Sequence, residues 1–387
     1  MAVVLVLGAT QTLSWASSYY LPAILAVPMA ADLGLPNAWV FAAFTGALLV
    51  AGAASPLVGR EIDRKGGRVV LVCSNVLFAL GLCLLAATRD GVTLAAGWLL
   101  LGVAMAMGLY DAAFAALAGF YGRAARAPIT GITLIAGFAS TIGWPISAAV
   151  EAAYGWRCVC LAWAGVHVLV CLPLNWLFLP APSLAPRPRE AATARAHKTR
   201  ANRSVWLLAL FFSLAWFVTG AMATQLPRLL EQMGTSTTAA IAAAALVGPA
   251  QVLSRLVEFG LFRNLHPLIS ARLAVILHPI GAASLAVFGA PAAAVFTILH
   301  GAGNGLLTIA RGTLPLALFG STGYGLRQGL LGAPARLTQA TSPFLFGLVL
   351  DYSPRAAILA SSVLMLLALA CLLALRAEPE PAEARGP

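Results

Sequence analysis

The chain has 387 residues, of which 60% are hydrophobic and only 10% charged, and its mean hydropathy is +0.89. A water-soluble globule is excluded, because a single soluble core stops growing at about 250–300 residues and could not hide so much apolar side chain. The formal charge of +11 would suit nucleic acid only if the basic residues formed one patch, and they are dispersed.

In chain order, apolar runs of about 20 residues alternate with short polar breaks, the length a helix needs to cross ~30 Å of hydrocarbon. Lipid offers the backbone no hydrogen-bond partners, so such runs must be helices or a closed barrel. The short alternating segments of barrel strands are missing. Helices are expected at 3–27, 38–58, 69–88, 93–118, 129–150, 157–179, 204–226, 238–259, 270–289, 292–318, 328–350 and 355–375. The first run lacks a basic leader and is too long for a signal core, so it reads as helix 1. Residues 180–203 are rich in Pro, Arg and Ala and read as a linker. The predicted fold is therefore all-α integral membrane, with twelve transmembrane helices in two pseudo-symmetric six-helix bundles. Residues 1–179 form the first bundle, 204–376 the second, and 377–387 a tail.

With the N-terminus placed in the cytoplasm, 17 basic residues fall on the inner side and four (Arg89, Arg157, Arg228 and Arg355) on the outer side. That division puts both termini and the linker in the cytoplasm of a cell's inner (plasma) membrane. Arg255, Arg311 and Arg336 lie inside helices. The six cysteines lack paired C-x-x-C spacing and read as small packing residues. No H-E-x-x-H or Walker A motif is present, so no cofactor or metal is expected.

The two halves look like copies. Pro145, Tyr154 and Arg157 in and after helix 5 recur as Pro343, Tyr352 and Arg355 in and after helix 11, at an offset of 198. Helix 4 similarly overlays helix 10. Two repeats meeting at a midplane site are a transporter architecture.

Between helices 2 and 3 stands Gly59-Arg60-Glu61-Ile62-Asp63-Arg64-Lys65-Gly66-Gly67-Arg68. It resembles the loop motif of the major facilitator superfamily, G-x-x-x-D-R-x-G-R-R/K, and departs from it at Gly67. The resemblance implies that Gly59, Asp63, Arg64, Gly66 and Arg68 serve gating, with Asp63 latching the loop to the inner end of helix 11. The corresponding segment of the second half, near Arg255 and Glu258, looks degenerate and is assigned to the same kind of loop. Tyr121 to Ile146 and the opening near Thr10 are similar to the monocarboxylate and oxalate/formate branch. Gly143-Trp144-Pro145 breaks the antiporter signature of helix 5.

An ionisable group in hydrocarbon costs roughly 2.5–3.5 kcal/mol or more, so each one marks a functional candidate. Asp111 in helix 4 is the candidate proton carrier. On helix 10, His300, Asn304 and Arg311 fall within about 40° of one another at 100° per residue. Arg336 and Gln339 share a face of helix 11, and Gln11, Trp15 and neighbouring serines form a stripe on helix 1. The resemblance places helices 1, 4, 7 and 10 around a cavity. Arg311, Arg336, His300, Asn304, Gln11, Trp15 and Gln339 are accordingly the expected substrate contacts. With one acid at that depth, at least one arginine is expected to lack a protein partner. The alternatives are that Arg311 snorkels to the interface, that Arg336 belongs to the entrance of helix 11, that Asp111 pairs structurally, and that the helix 1 side chains merely join helices. His167 and His278 read as packing residues.

The leading expectation is a secondary transporter of a small organic anion working by alternating access, with possible proton coupling at Asp111. Its partners would be the small-molecule substrate and the lipid bilayer, with no nucleic acid and no second copy. Efflux of a hydrophobic or cationic compound is the alternative, and an integral-membrane sensor or enzyme the third reading. Reporter fusions test the topology. Fusions at Arg195 and at the C-terminus should report the cytoplasm and one at Ala290 the far side; an external Arg195 overturns the orientation.

Overall fold

The computed structural model describes residues 2–181 and 196–375, with backbone alone for 196–202. Most of the expected linker, and the tail 377–387, lie outside the described residues. Twelve spans follow one another. Span 1 is α1 (Ala2–Ala16) and α2 (Pro22–Leu33), span 2 is α3 (Asn37–Lys65) and span 3 is α4 (Gly67–Ala87). Span 4 is α5 (Gly91–Gly108) and α6 (Tyr110–Tyr121), and span 5 is α7 (Arg126–Ala136) and α8 (Ala139–Tyr154). Span 6 joins α9 (Trp156–Val166) to α10 (Leu172–Phe178) through a π-helical turn, His167–Cys171. The second bundle holds α11 (Ala196–Gln232), then α12 (Thr237–Ala245) with α13 (Val247–Gly260), and α14 (Pro267–Phe288). It closes with α15 (Ala293–Phe319), α16 (Tyr324–Tyr352) and α17 (Pro354–Ala374). Among the described residues, nine helices are long and apolar enough to cross a membrane unaided. Span 1 misses that length only because it is broken in two.

Spans 1, 4, 5 and 8 are each interrupted partway, which the hydropathy pattern did not reveal. Pro22 explains one restart: it has no N–H to lose and its fixed φ suits the first turn of α2. The motif between spans 2 and 3 is also more helical than expected. Residues 59–65 finish α3, and the chain reverses at Gly66, whose φ of 83° favours glycine.

Three apolar cores explain how the spans divide. One is built solely from residues between Leu208 and Leu375, and another has all its buried members between Ala16 and Trp163 or Ala164. The third packs Leu7, Ile62, Phe114 and Ile129 of the first bundle with Leu316 and Tyr324 of the second. All its members lie towards the membrane face that carries Lys65 and Gly122, here termed the terminus side. There α7 packs on α13 and α15. On the far side the continuing α8 packs on α1, α2 and α9, and α12 on α11, α13 and α15, each within its own bundle. The bundles thus meet on the terminus side and part towards the far side, leaving a cleft between them.

Spans 2 and 11 approach most closely. Gly59 faces the Gly325 carbonyl, Gly329 faces Ser55 and Pro56, and Gly52 faces Ala333 and the stem of Arg336. Small residues at this spacing let two backbones touch where lipid gives no hydrophobic drive. A Cβ at Gly329 would overlap the Ser55 carbonyl. Gly329→Val should therefore wedge the bundles apart and lower transport severalfold without preventing insertion. In a cysteine-free background, a cysteine replacing buried Ser55 should then react faster with a thiol reagent applied from the terminus side.

Candidate functional site

The centre of the site follows from the interruption of span 4. Leu109 adopts an extended conformation (φ −90°, ψ −171°), so α5 stops at Gly108 and α6 begins at Tyr110. Asp111 then falls in the first turn of α6, where the exposed N–H groups and the helix dipole favour an anion. Its two carboxylate oxygens accept from Arg311 Nε and Nη2, both at 2.7 Å. Arg336 Nη2 donates to the same carboxylate at 2.9 Å and Gln328 Nε2 at 3.2 Å. Arg311 also lies over the Trp216 ring, 4.8 Å from its centroid. Gly332 leaves room for the cluster, since a Cβ there would sit 3.2 Å from both Arg311 Nη2 and Asp111 Oδ2.

This cluster crosses the bundle interface, because Asp111 belongs to the first bundle and its three donors to the second. The expectation that an arginine would lack a protein partner needs correction: one carboxylate serves both guanidiniums. Two positive charges and one negative still leave a surplus of +1. Arg336 Nε and Gln328 Oε1 are buried without partners.

Three more cross-bundle latches lie nearer the terminus side. Asp63 accepts from the backbone N–H of Gly325 (3.0 Å) and of Leu326 (2.8 Å), at the start of α16. Gly59 also meets the second bundle, at Gly325, while the motif's other charged residues stay within their own: Arg64 and Lys65 pair with Glu61, and Arg68 lies over Trp176. Arg126, the first residue of α7, donates to the Leu265 and Phe262 carbonyls and to Glu258 (3.2 Å). Arg126 precedes Tyr324, the first residue of α16, by the repeat offset of 198. The segment that looked degenerate therefore closes the mirrored position.

Arg255 makes the third latch and is the residue the sequence misassigned. It leaves the gating loop and points back along α13 into the interface, as helix side chains lean towards the N-terminus. Nη1 donates to the Thr133 carbonyl at 3.1 Å, and Nη2 to Gln251 and Thr308 at 3.4 Å each. Nε has no partner, and the side chain is buried. A Cβ at Gly137, where span 5 is interrupted, would sit 2.6 Å from Arg255 Nη1. No carboxylate among the described residues forms an ion pair with it. Its depth in helix 8 was the available signal, and its assignment to the loop obscured that.

The remaining candidates divide. Gln11 Nε2 donates to Gly108 O, a carbonyl released by the break in span 4. Trp15 packs on Tyr110 with ring centroids 4.9 Å apart. Gln339 Nε2 donates to the Tyr19 hydroxyl across the interface at 3.1 Å. Asn304 accepts from Thr219 of span 7 at 3.2 Å. His300 does not join them. Its Nδ1 faces that of His278 at 3.0 Å, and His278 Nε2 faces Ser361 at 3.0 Å, inside the second bundle. His167 likewise bridges Ser17 and Asn75 inside the first bundle. Among the described residues, no cluster of three metal-ligating side chains occurs.

Residues 7–296 match the sequence description of the Major Facilitator Superfamily. The chain belongs to this superfamily. Solved structures agree on the fold. The human organic anion transporter MFSD10 (TETRAN) superposes with a TM-score of 0.72 at 16% identity, over 96% of this chain and 99% of that one. The Escherichia coli fucose:proton symporter FucP gives 0.73 at 15% identity, over 96% and 97%. FucP in the outward conformation gives 0.75 at 14%, over 96% and 99%. No curated protein matches by sequence. The protein is thus a multi-pass membrane transporter of this superfamily and not an enzyme.

The superfamily member's Asp63 latch is directly testable. An amide keeps one acceptor oxygen, so Asp63→Asn should lose one of the two backbone bonds and the attraction to the α16 N-terminus. Insertion should be normal and transport reduced severalfold. Wild-type transport at normal expression would show that the latch does not gate.

Proposed function

We propose that the protein moves a small organic anion by alternating access, the two bundles rocking about the cleft, in a plasma membrane with both termini cytoplasmic. The observation that carries this reading is Arg255: a buried guanidinium in the interface with no ion-pair partner among the described residues. An unpaired charge at such depth is costly unless a ligand or a watered cavity receives it. A carboxylate matches the planar fork of arginine. The surplus charge of the Asp111 cluster raises the positive potential further, and Gln339, Asn304, Gln11 and Trp15 supply polar and aromatic contacts around it. Organic anion transport by the structurally similar MFSD10 is consistent with this. Efflux of a cation is disfavoured because Asp111 is already taken by two arginines. Arg255→Gln should abolish binding of the transported anion, and Arg255→Lys should weaken it on the order of tenfold, as loss of charge-assisted hydrogen bonds implies. Unaltered affinity in Arg255→Gln would refute the assignment.

The same geometry supports proton coupling at Asp111. While the bundles meet on the terminus side, the Asp111 carboxylate has both oxygens taken by guanidiniums. It becomes a proton acceptor only when Arg311 and Arg336 move away with the second bundle. Replacing Asp111 alone strands two cations, so the informative variant pairs Asp111→Asn with Arg311→Gln, removing one charge of each sign. In proteoliposomes it should still exchange the anion but lose accumulation driven by a pH gradient. Accumulation that persists unchanged would place the coupling proton elsewhere.

A further inference from the structure

Six aromatic rings cluster on the first-bundle side of the interface that Arg255 enters. We infer that the transported anion carries its carboxylate on a flat aromatic body, which these rings receive. This rests on the reading of Arg255 as the anion's partner.

Trp15 is the hub. Its ring lies 4.9 Å from Tyr110, 5.1 Å from Tyr19 and 6.0 Å from Tyr20, centroid to centroid. Tyr19 continues to Phe44 at 5.7 Å, and Tyr20 to Trp144 at 5.9 Å. Six rings from spans 1, 2, 4 and 5 therefore form one continuous surface. Most of its pairs are edge-on or tilted, so ring faces remain available to a further ring. Trp15, Tyr19 and Phe44 pack one side against the first bundle's core, and Tyr110 against the shared one. Trp98 and Phe114, in contact with its edges, are fully buried, whereas Trp15, Tyr19, Tyr20 and Tyr110 are only partly so and Trp144 is 42% exposed.

The wall is also held for recognition rather than merely packed. Breaks in spans 1 and 4 create it: residues 17–21 leave the helix and carry Tyr19 and Tyr20, and Leu109 turns Tyr110 into the same space. Trp144 is anchored by its indole N–H to the Tyr20 carbonyl at 3.1 Å. Two polar atoms on the same helix face remain without protein partners, Gln11 Oε1 and Trp15 Nε1. They lie one turn apart, beside the break in span 4. Arg255 enters the same side of the interface, since its Nη1 bonds the Thr133 carbonyl and lies beside Gly137 in span 5, the span that carries Trp144. An aliphatic anion as small as acetate would contact the guanidinium and leave the rings uncovered. An aromatic carboxylate meets both.

The test uses the full chain in nanodiscs, with benzoate, acetate and benzyl alcohol as probes and calorimetric dissociation constants as the readout. Benzoate should bind at least about tenfold more tightly than acetate, the scale of gain expected from burying a ring. Trp144→Leu and Tyr110→Leu, which keep the wall apolar, should each weaken benzoate severalfold and leave acetate unchanged. Arg255→Gln should remove both anions. Equal affinity for benzoate and acetate, or ring variants that weaken the two alike, would overturn the aromatic inference and leave the anion reading standing. Failure of both anions to bind, or benzyl alcohol binding as tightly as benzoate, would overturn the anion reading itself.

Discussion

A single carboxylate, Asp111, is shared by two arginines across the boundary between two bundles. Such a cluster is not a source of net stability, since desolvation of the ions offsets much of their attraction. Breaking one is another matter: stranding a buried partner costs roughly 3–5 kcal/mol. The bundles can therefore separate on the terminus side only if something receives the freed charges, whether water, a proton or an anionic ligand. The contacts that close the protein on this side are thus also its buried charges.

The other latches are of a weaker kind. Asp63 binds two backbone N–H groups, Arg126 binds carbonyls and the buried carboxylate of Glu258, and Arg255 binds one carbonyl and two neutral side chains. The Asp63 contacts can be exchanged for water at small net cost. Two of the apolar cores lie essentially within single bundles, so they move as rigid bodies. The third, shared core is thin and accompanied by glycines, which part without leaving large side chains in the gap.

The interruptions in spans 1 and 4 solve a problem peculiar to the membrane. A broken helix releases carbonyls that lipid cannot satisfy. Here a side chain from another span takes the task, Trp144 for Tyr20 in span 1 and Gln11 for Gly108 in span 4. Irregular backbone is tolerated because it lines the cleft, and the partners recruited to satisfy it are the same residues that shape the site.

The spans, their pairing into halves and the superfamily motif were legible in the sequence, because hydropathy and loop charge are local properties that the bilayer imposes run by run. Asp63 was legible through the motif, although its acceptor role towards Gly325 and Leu326 needed a helix 262 residues away. Asp111, Arg311 and Arg336 could be singled out as ions in hydrocarbon, but not matched to one another. His300 shows why. Its angle on helix 10 lies close to that of Arg311, yet three turns of separation place it beside span 9, where His278 takes it. Arg255 was misread for the same reason, since its meaning depends on the absence of a carboxylate among residues from other spans. Depth and helical phase are written in one chain's order. Which helix stands on each face, and so which charge is left unpaired, is decided only when the bundles pack.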